Sequence, residues 1–160
     1  MKEQIILALA GLPKELGVLI LAMLPISELR GAMPFGVYSH IPFIRVLIIS
    51  IIGNLLPVIP LYFLLNRILL LLSRFRLGKK FSDWLVAHTL KKSEVIQVYE
   101  TLGLFIFIGI PLPITGAWTG TIAAVLLKLK FKYYLIGVIG GVLLASLIVS
   151  VLIFLFRISF

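Results

Sequence analysis

The stretch LPISELRGAMP, residues 24–34, ends a run of eight residues, 17–24, that carry no polar side chain. A carboxylate and a guanidinium, Glu28 and Arg30, stand here between Pro25 and Pro34. Proline inside a helix removes a backbone hydrogen bond and clashes with the preceding turn. The stretch therefore predicts a break in an apolar helix, with two charges at the break.

The chain as a whole has the composition of a membrane protein. Its 160 residues are 61% hydrophobic, against about 45–50% in soluble domains, and its mean hydropathy is +1.20. The net charge of +9 comes from basic residues that mostly flank apolar runs, which favours anionic lipid over nucleic acid as the partner. The chain has no cysteine and only two histidines, far apart, so neither a metal site nor a cofactor is expected.

Four apolar stretches follow one another: 17–37, 47–72, 102–127 and 134–156. A bilayer core of about 30 Å needs about 20 helical residues, so the second and fourth stretches are predicted to span it. Pro57 and Pro60 predict a kink in the second.

The first and third stretches reach a break after 17–24 and 102–110, which is only about half the thickness of the core. Two interpretations are open: kinked spanning helices, or re-entrant hairpins that return to the side from which they came. Unwound backbone at this depth requires shielding by protein or by a water-filled cavity.

An internal repeat favours the hairpins. IISIIGNLL, 48–56, matches LIGVIGGVL, 135–143, at an offset of 87, and an offset of 86 places Pro25 on Pro111. The predicted fold is an all-α integral membrane protein, a single domain over 1–160. It is an inverted repeat of a re-entrant hairpin plus a transmembrane helix, with repeats at about 14–73 and 101–160.

The basic linker between the repeats, about 74–100, has apolar residues at helical spacing: Phe81, Trp84, Leu85 and His88. This pattern is typical of an amphipathic helix on an anionic leaflet. The alternative is a loop helix that packs on its own protein. The positive charge of the linker predicts that it lies on the cytoplasmic side, with either hairpins or kinked spanning helices.

Glu28 and Arg30 are the leading candidate site, because an ionised group at bilayer depth costs about 2.5–3.5 kcal/mol. A structural role would be a salt bridge that closes the hairpin. The functional alternative makes Glu28 a proton carrier and Arg30 an anion clamp, with Pro34 beside them. Pro25 and Gly31 are assigned to the hairpin itself.

The second break, PLPITGAWTG at 111–120, carries no charge. Pro111 and Pro113 end the incoming half-helix, and Thr115 or Thr119 is expected to cap the outgoing one or to bind a ligand. Helix N-termini at such a tip suit a phosphate or carboxylate.

Small and polar residues elsewhere predict helix packing. Gly116 and Gly120 allow close backbone approach, and Trp118 either stacks on a substrate or fills the tip. Asn54, in mid-span, is expected to hydrogen-bond to a hairpin tip. A ladder of small residues in the last helix predicts a packing face, internal or in a homodimer: Gly137, Gly141 and Ala145.

The motifs ISELRGAMPFGV and PLPITGAWTG together resemble the bacterial and archaeal family of small multi-drug export proteins, over nearly the whole chain. That family is similar, distantly, to the DedA or VTT-domain superfamily. The resemblance implies two re-entrant hairpins in inverted repeat, proton-dependent transport or lipid movement, and the cytoplasmic membrane of a prokaryote. Glu28, Pro25 and Pro34 match the acidic residue and prolines of the first DedA hairpin, whereas 111–120 lacks the arginines of the second.

The predicted function is a membrane transporter that moves a small amphipathic molecule or lipid head group, coupled to protons through Glu28. The alternatives are a lipid scramblase or flippase for phospholipid or polyprenyl phosphate, and a non-transporting membrane scaffold. No nucleotide-binding, zinc or hydrolase motif is present, so an enzyme is not expected.

Overall fold

A computed structural model describes residues 13–72, 94–111 and 115–158. In these ranges the chain forms six helices: α1 (Lys14–Met23), α2 (Glu28–Tyr38), α3 (Phe43–Leu72), α4 (Glu94–Gly109), α5 (Ala117–Leu126) and α6 (Phe131–Ile158). The predicted amphipathic linker helix around residues 81–88 and the predicted break at Pro113 lie outside the described residues.

Two of the helices are long and apolar enough to cross a bilayer, over Phe43–Ile68 in α3 and Phe131–Leu155 in α6. They confirm that the two segments predicted to span form long apolar helices, which makes them candidate membrane spans. Helix α3 continues through both of its prolines, and the predicted kink there stays a prediction.

The first half consists of α1, α2 and α3. The Lys14 ammonium donates to the Ser39 carbonyl over 3.0 Å, so the start of α1 and the end of α2 lie at the same end of the molecule. Helix α1 then packs along α3, where Gly53 leaves room for the Leu19 carbonyl and the Ala22 methyl group. An antiparallel pair of short helices therefore lies beside one long helix.

The second half contains α4, α5 and α6. Gly141 of α6 leaves room for Ile108 and the Phe105 carbonyl of α4, and Gly120 of α5 packs on the other side of Ile108. The predicted small-residue ladder of α6 is thus an internal packing face, with Ala145 buried.

The two returning helices end in the same turn. His40 after α2 and Lys128 after α5 both have left-handed backbone, with φ of 62° and 52°. The next residue in each case bonds back into the helix, from Ile41 N to Gly36 O and from Leu129 N to Ala124 O. This is the pattern of a Schellman motif.

The long helices α3 and α6 run antiparallel, since Phe43 lies beside Phe154 and Tyr62 stacks on Tyr134, with ring centroids 5.0 and 4.4 Å apart. The ends of α1 and α4 lie against the starts of α5 and α2 from the other half. The helices begin ahead of the predicted apolar runs, at Phe43, Glu94 and Phe131 against 47, 102 and 134, because the polar residues that flank each run are helical as well.

Candidate functional site at the junction of the two helix pairs

Helix α2 begins at Glu28, and its carboxylate lies at the beginning of α5 in the other half. It accepts hydrogen bonds from Ala117 N at 3.4 Å and Trp118 N at 3.3 Å. The first N–H groups of a helix have no partner within the helix, and they form the positive end of its dipole. A carboxylate from the first half thus caps a helix of the second half.

Gly116 makes this approach possible. A Cβ added at this position would overlap both oxygens of the Glu28 carboxylate. Gly116 is also the N-cap residue of α5, and as a glycine it has no side chain that could cap the helix. Glu28 supplies the acceptor from across the junction, and the capping or ligand-binding role expected of Thr115 or Thr119 stays a prediction.

The backbone of Glu28 is itself strained, with φ of 48° in the left-handed region. A non-glycine residue pays roughly 1–2 kcal/mol for this conformation. Such residues persist where the surrounding structure holds them, often at binding or switching sites. Here Glu28 N donates to Leu24 O at 2.9 Å, which fixes the turn between α1 and α2.

Arg30, two residues further along α2, contacts the end of α4. One guanidinium nitrogen lies 3.4 Å from Ile110 O and 3.3 Å from the Thr115 hydroxyl. The same hydroxyl donates to Ile110 O at 2.9 Å. A cation at the carbonyl end of a helix is favourable, because the dipole is negative there.

Trp118 makes the reciprocal contact from the second half to the first. Its indole N–H donates to Met23 O, the last residue of α1, at 3.2 Å. Each incoming helix therefore has a C-terminal carbonyl bound by a side chain of the opposite half. This bond places Trp118 at the junction, and its predicted stacking on a substrate stays a prediction.

Asn54 is buried in α3, with 1% of its surface exposed. The hydrogen bond predicted from Asn54 to a hairpin tip is not found: neither atom of its amide has a partner among the described residues. Ser50, one turn earlier, is equally buried, and its hydroxyl also lacks a partner in the described part of the chain.

A cavity of about 1020 Å³ leads from the C-terminal end of α2, which is called its outer end below, towards Arg30. Lys14 and His40 lie at its outer end, and Pro34 and Pro111 lie beside Arg30 at its inner end. Its other lining residues are mostly apolar: Phe35, Val37, Tyr38, Ser39, Val149, Leu152 and Ile153. None of these lining residues is acidic, so the cavity combines apolar walls with basic groups at both ends.

Several predicted site residues meet at the junction: Glu28, Arg30, Pro111, Thr115, Gly116 and Trp118. Others serve their own half, since Gly31 packs on Ser27, Gly120 packs on Ile108, and the Thr119 hydroxyl donates to Gly116 O. Pro25 is exposed in the turn after α1. The carbonyls of Met23 and Ile110 were not predicted, because backbone acceptors leave no signal in residue types.

A sequence profile of the family described as "Putative small multi-drug export protein" matches residues 28–148. None of the curated proteins and none of the solved structures compared with the chain matches it.

Proposed function

The chain belongs to the small multi-drug export protein family, and from this membership we propose that it is a proton-coupled membrane transporter rather than an enzyme. Its substrate site lies where the two pairs of short helices meet. The observation that carries the proposal is the bond between the Glu28 carboxylate and the start of α5, which joins an acidic group of the first helix pair to the second pair.

The proposed topology treats α1–α2 and α4–α5 as re-entrant hairpins and α3 and α6 as membrane spans, in an inverted repeat like that of the DedA superfamily. The bond from Lys14 to Ser39 supports the first hairpin. The bond from Thr101 to the Tyr133 carbonyl, at 3.5 Å, supports the second, because it holds α4 beside the start of α6.

The proposed membrane is the cytoplasmic membrane of a prokaryote. Arg67, Lys128, Lys130 and Lys132 share the end of the molecule at which α3 finishes and α6 begins. Positive charge favours the cytoplasmic side, so the cavity beside Lys14 opens to the outer side.

The proposed coupling works through the charge on Glu28. Hydrogen bonds to an ionised group are worth about 1.5–3 kcal/mol each, roughly twice those to a neutral one. A proton on Glu28 would therefore weaken the bonds to Ala117 and Trp118 and allow the two tips to separate. Loss of the proton would restore the closed junction.

The proposed substrate is an amphipathic molecule with an anionic head group. Arg30 at the inner end of the cavity and Lys14 at the outer end favour negative charge, and apolar side chains such as Phe35 and Ile153 suit a hydrocarbon chain. The same cavity disfavours organic cations, because no acidic residue lines it in the described part of the chain.

A lipid scramblase is the second candidate. The observation in its favour is the rim of the cavity, where Tyr38 and Leu152 are exposed and a lipid head group could enter from the side. In this alternative, head groups cross beside the junction and Glu28 carries no proton.

Reconstitution in liposomes separates these candidates. The probes are dodecyl phosphate and dodecyltrimethylammonium with the same fluorescent label on the chain, so that they differ in head-group charge. We expect an imposed pH gradient to drive movement of the phosphate probe and not of the ammonium probe, and Glu28→Gln to abolish the dependence on the gradient. Equal movement with and without the gradient would support the scramblase, and no movement of either probe would contradict both candidates.

A further inference from the structure

Asn54 lies on a single buried face of α3. Val46, Ser50, Asn54 and Val58 follow one another at intervals of four residues, and each has at most 1% of its surface exposed. Residues at this spacing share one face of a helix. Asn54 therefore faces the interior between the two halves.

Two independent contacts set the height of Asn54 along that face. Val46 packs against Gly36 of α2, which runs antiparallel to α3. Eight residues further along α3 and eight residues back along α2, about 12 Å in each, bring Asn54 level with Glu28.

The second contact comes from the other half. The Tyr134 hydroxyl bonds to both Val58 O and Thr121, so these two residues are at one height. Helix α5 advances in the direction of α3, since Tyr62 reaches Leu129 further on. One turn back on both helices, about 6 Å, brings Asn54 level with Ala117, one of the two residues whose N–H groups bind Glu28.

The fold does not require a polar residue at the position of Asn54. In the second half, Gly141 occupies the place that Gly53 has in the first, with each glycine packed against the incoming helix of its own half. The corresponding neighbours of Gly141 on the buried face are Val138 and Val142. A buried amide without a partner costs about 1–3 kcal/mol per polar group, which valine avoids.

We propose that Asn54 is the second binding partner of the Glu28 side chain, and this inference rests on the proton-coupled transport proposed above. After Glu28 takes up one proton from water, its neutral carboxyl group leaves α5 and pairs with the amide. The carboxyl O–H donates to the amide oxygen, and the amide N–H donates to the carboxyl C=O. No other bond forms or breaks, and the proton stays on Glu28.

The exchange gives the N-terminus of α5 a ligand site. With Glu28 paired to Asn54, the N–H groups of Ala117 and Trp118 are available to an anionic group, a phosphate or a carboxylate, of the substrate. Arg30 is the charged group that faces Glu28 from its own helix. From α6, Tyr134 is a buried titratable group, and its hydroxyl is already bonded to Thr121 and to Val58 O.

Infrared difference spectroscopy of the full-length protein in liposomes, acidic minus neutral, tests this pairing. A band from a protonated carboxyl group that disappears in Glu28→Gln belongs to Glu28. We expect Asn54→Leu to move this band to higher wavenumber, because the carbonyl loses its hydrogen bond. Ser50→Ala is the matched control, an equally buried and unpartnered position one turn away, and it should leave the band in place.

An unmoved band in Asn54→Leu, an equal shift in Ser50→Ala, or no Glu28 band at any pH at which the protein stays folded would overturn the proposal. Thermal unfolding guards against a simple folding defect: at neutral pH Asn54→Leu should be at least as stable as the wild type. A shifted band without flux of the phosphate probe would contradict the transport function and not the pairing. Flux of the phosphate probe that depends on the pH gradient, with no shift of the band in Asn54→Leu, would contradict the pairing and not the transport function.

Discussion

The Glu28 carboxylate lies 3.3 Å from the backbone nitrogen of Trp118, and this bond joins the two halves of the chain at their broken ends. The indole of the same tryptophan binds the Met23 carbonyl at the end of α1. The junction is therefore held by backbone groups that a helix leaves without partners, each bound by a side chain from the opposite half.

Gly116→Ala should destabilise the protein, because the new methyl group would overlap the Glu28 carboxylate. We expect a loss of about 1–3 kcal/mol in the free energy of unfolding, measured by thermal unfolding in detergent. Gly103→Ala is the control, since a Cβ there meets nothing within 4 Å and alanine favours the helix. Equal effects of the two substitutions would contradict the close approach at Gly116.

Trp118→Phe should cost about 1–3 kcal/mol of stability, because it leaves the Met23 carbonyl without the indole donor. The adjacent Thr119→Val is the comparison: this hydroxyl bonds to Gly116 within its own turn, so its loss should cost less. The ratio of the two effects, from the same unfolding measurement, reports whether Trp118 links the halves. A larger effect of Thr119→Val would count against that link.

Arg30→Gln should remove the preference of the cavity for anions. We expect binding of the labelled dodecyl phosphate to fall about tenfold or more, the effect of losing roughly 1.4 kcal/mol, with little change for the ammonium probe. Arg45→Gln removes an exposed charge of α3 that does not line the cavity, and it serves as the control. The assignment of Arg30 is wrong if both substitutions weaken phosphate binding equally.

Tyr134→Phe should destabilise the packing between α3, α5 and α6. The Tyr134 hydroxyl bonds to Val58 O at 2.9 Å and to Thr121 at 3.0 Å, and the residue is fully buried. We expect a loss of about 1–2 kcal/mol in detergent unfolding. Tyr99→Phe, at a residue that is 71% exposed, should change stability by less than about 0.5 kcal/mol. Unchanged stability of Tyr134→Phe would contradict the bonds that fix the position of α5 along α3.

The broken helices could be predicted from the sequence because their causes are local. Pro25 and the charges after it mark the end of α1, and the length of each apolar run separates long helices from short ones. The family could also be predicted, since its motifs lie in the two breaks. The sequence pattern predicts a repeat at an offset of 87 residues. In the structure Gly53 and Gly141 make equivalent contacts, so the long helices correspond at an offset of 88 residues.

The partners across the junction could not be predicted from the sequence. The cap of α5 was expected from Thr115 or Thr119, because helix caps are usually local in sequence. Glu28 supplies it instead from the other half of the chain, which only the tertiary packing brings near. The sequence places Asn54 in a long apolar stretch, but its burial and its lack of a partner among the described residues depend on the positions of all its neighbours.

Sided labelling of single cysteines tests the central claim, that two hairpins enter the membrane from opposite sides and meet. The chain contains no cysteine, so Lys14→Cys, Ser39→Cys and Lys130→Cys each introduce the only thiol. With a membrane-impermeant maleimide on intact cells, we predict that positions 14 and 39 react from the same side and position 130 from the other. Labelling of positions 39 and 130 from one side, with position 14 opposite, would contradict the hairpins and require four spanning segments.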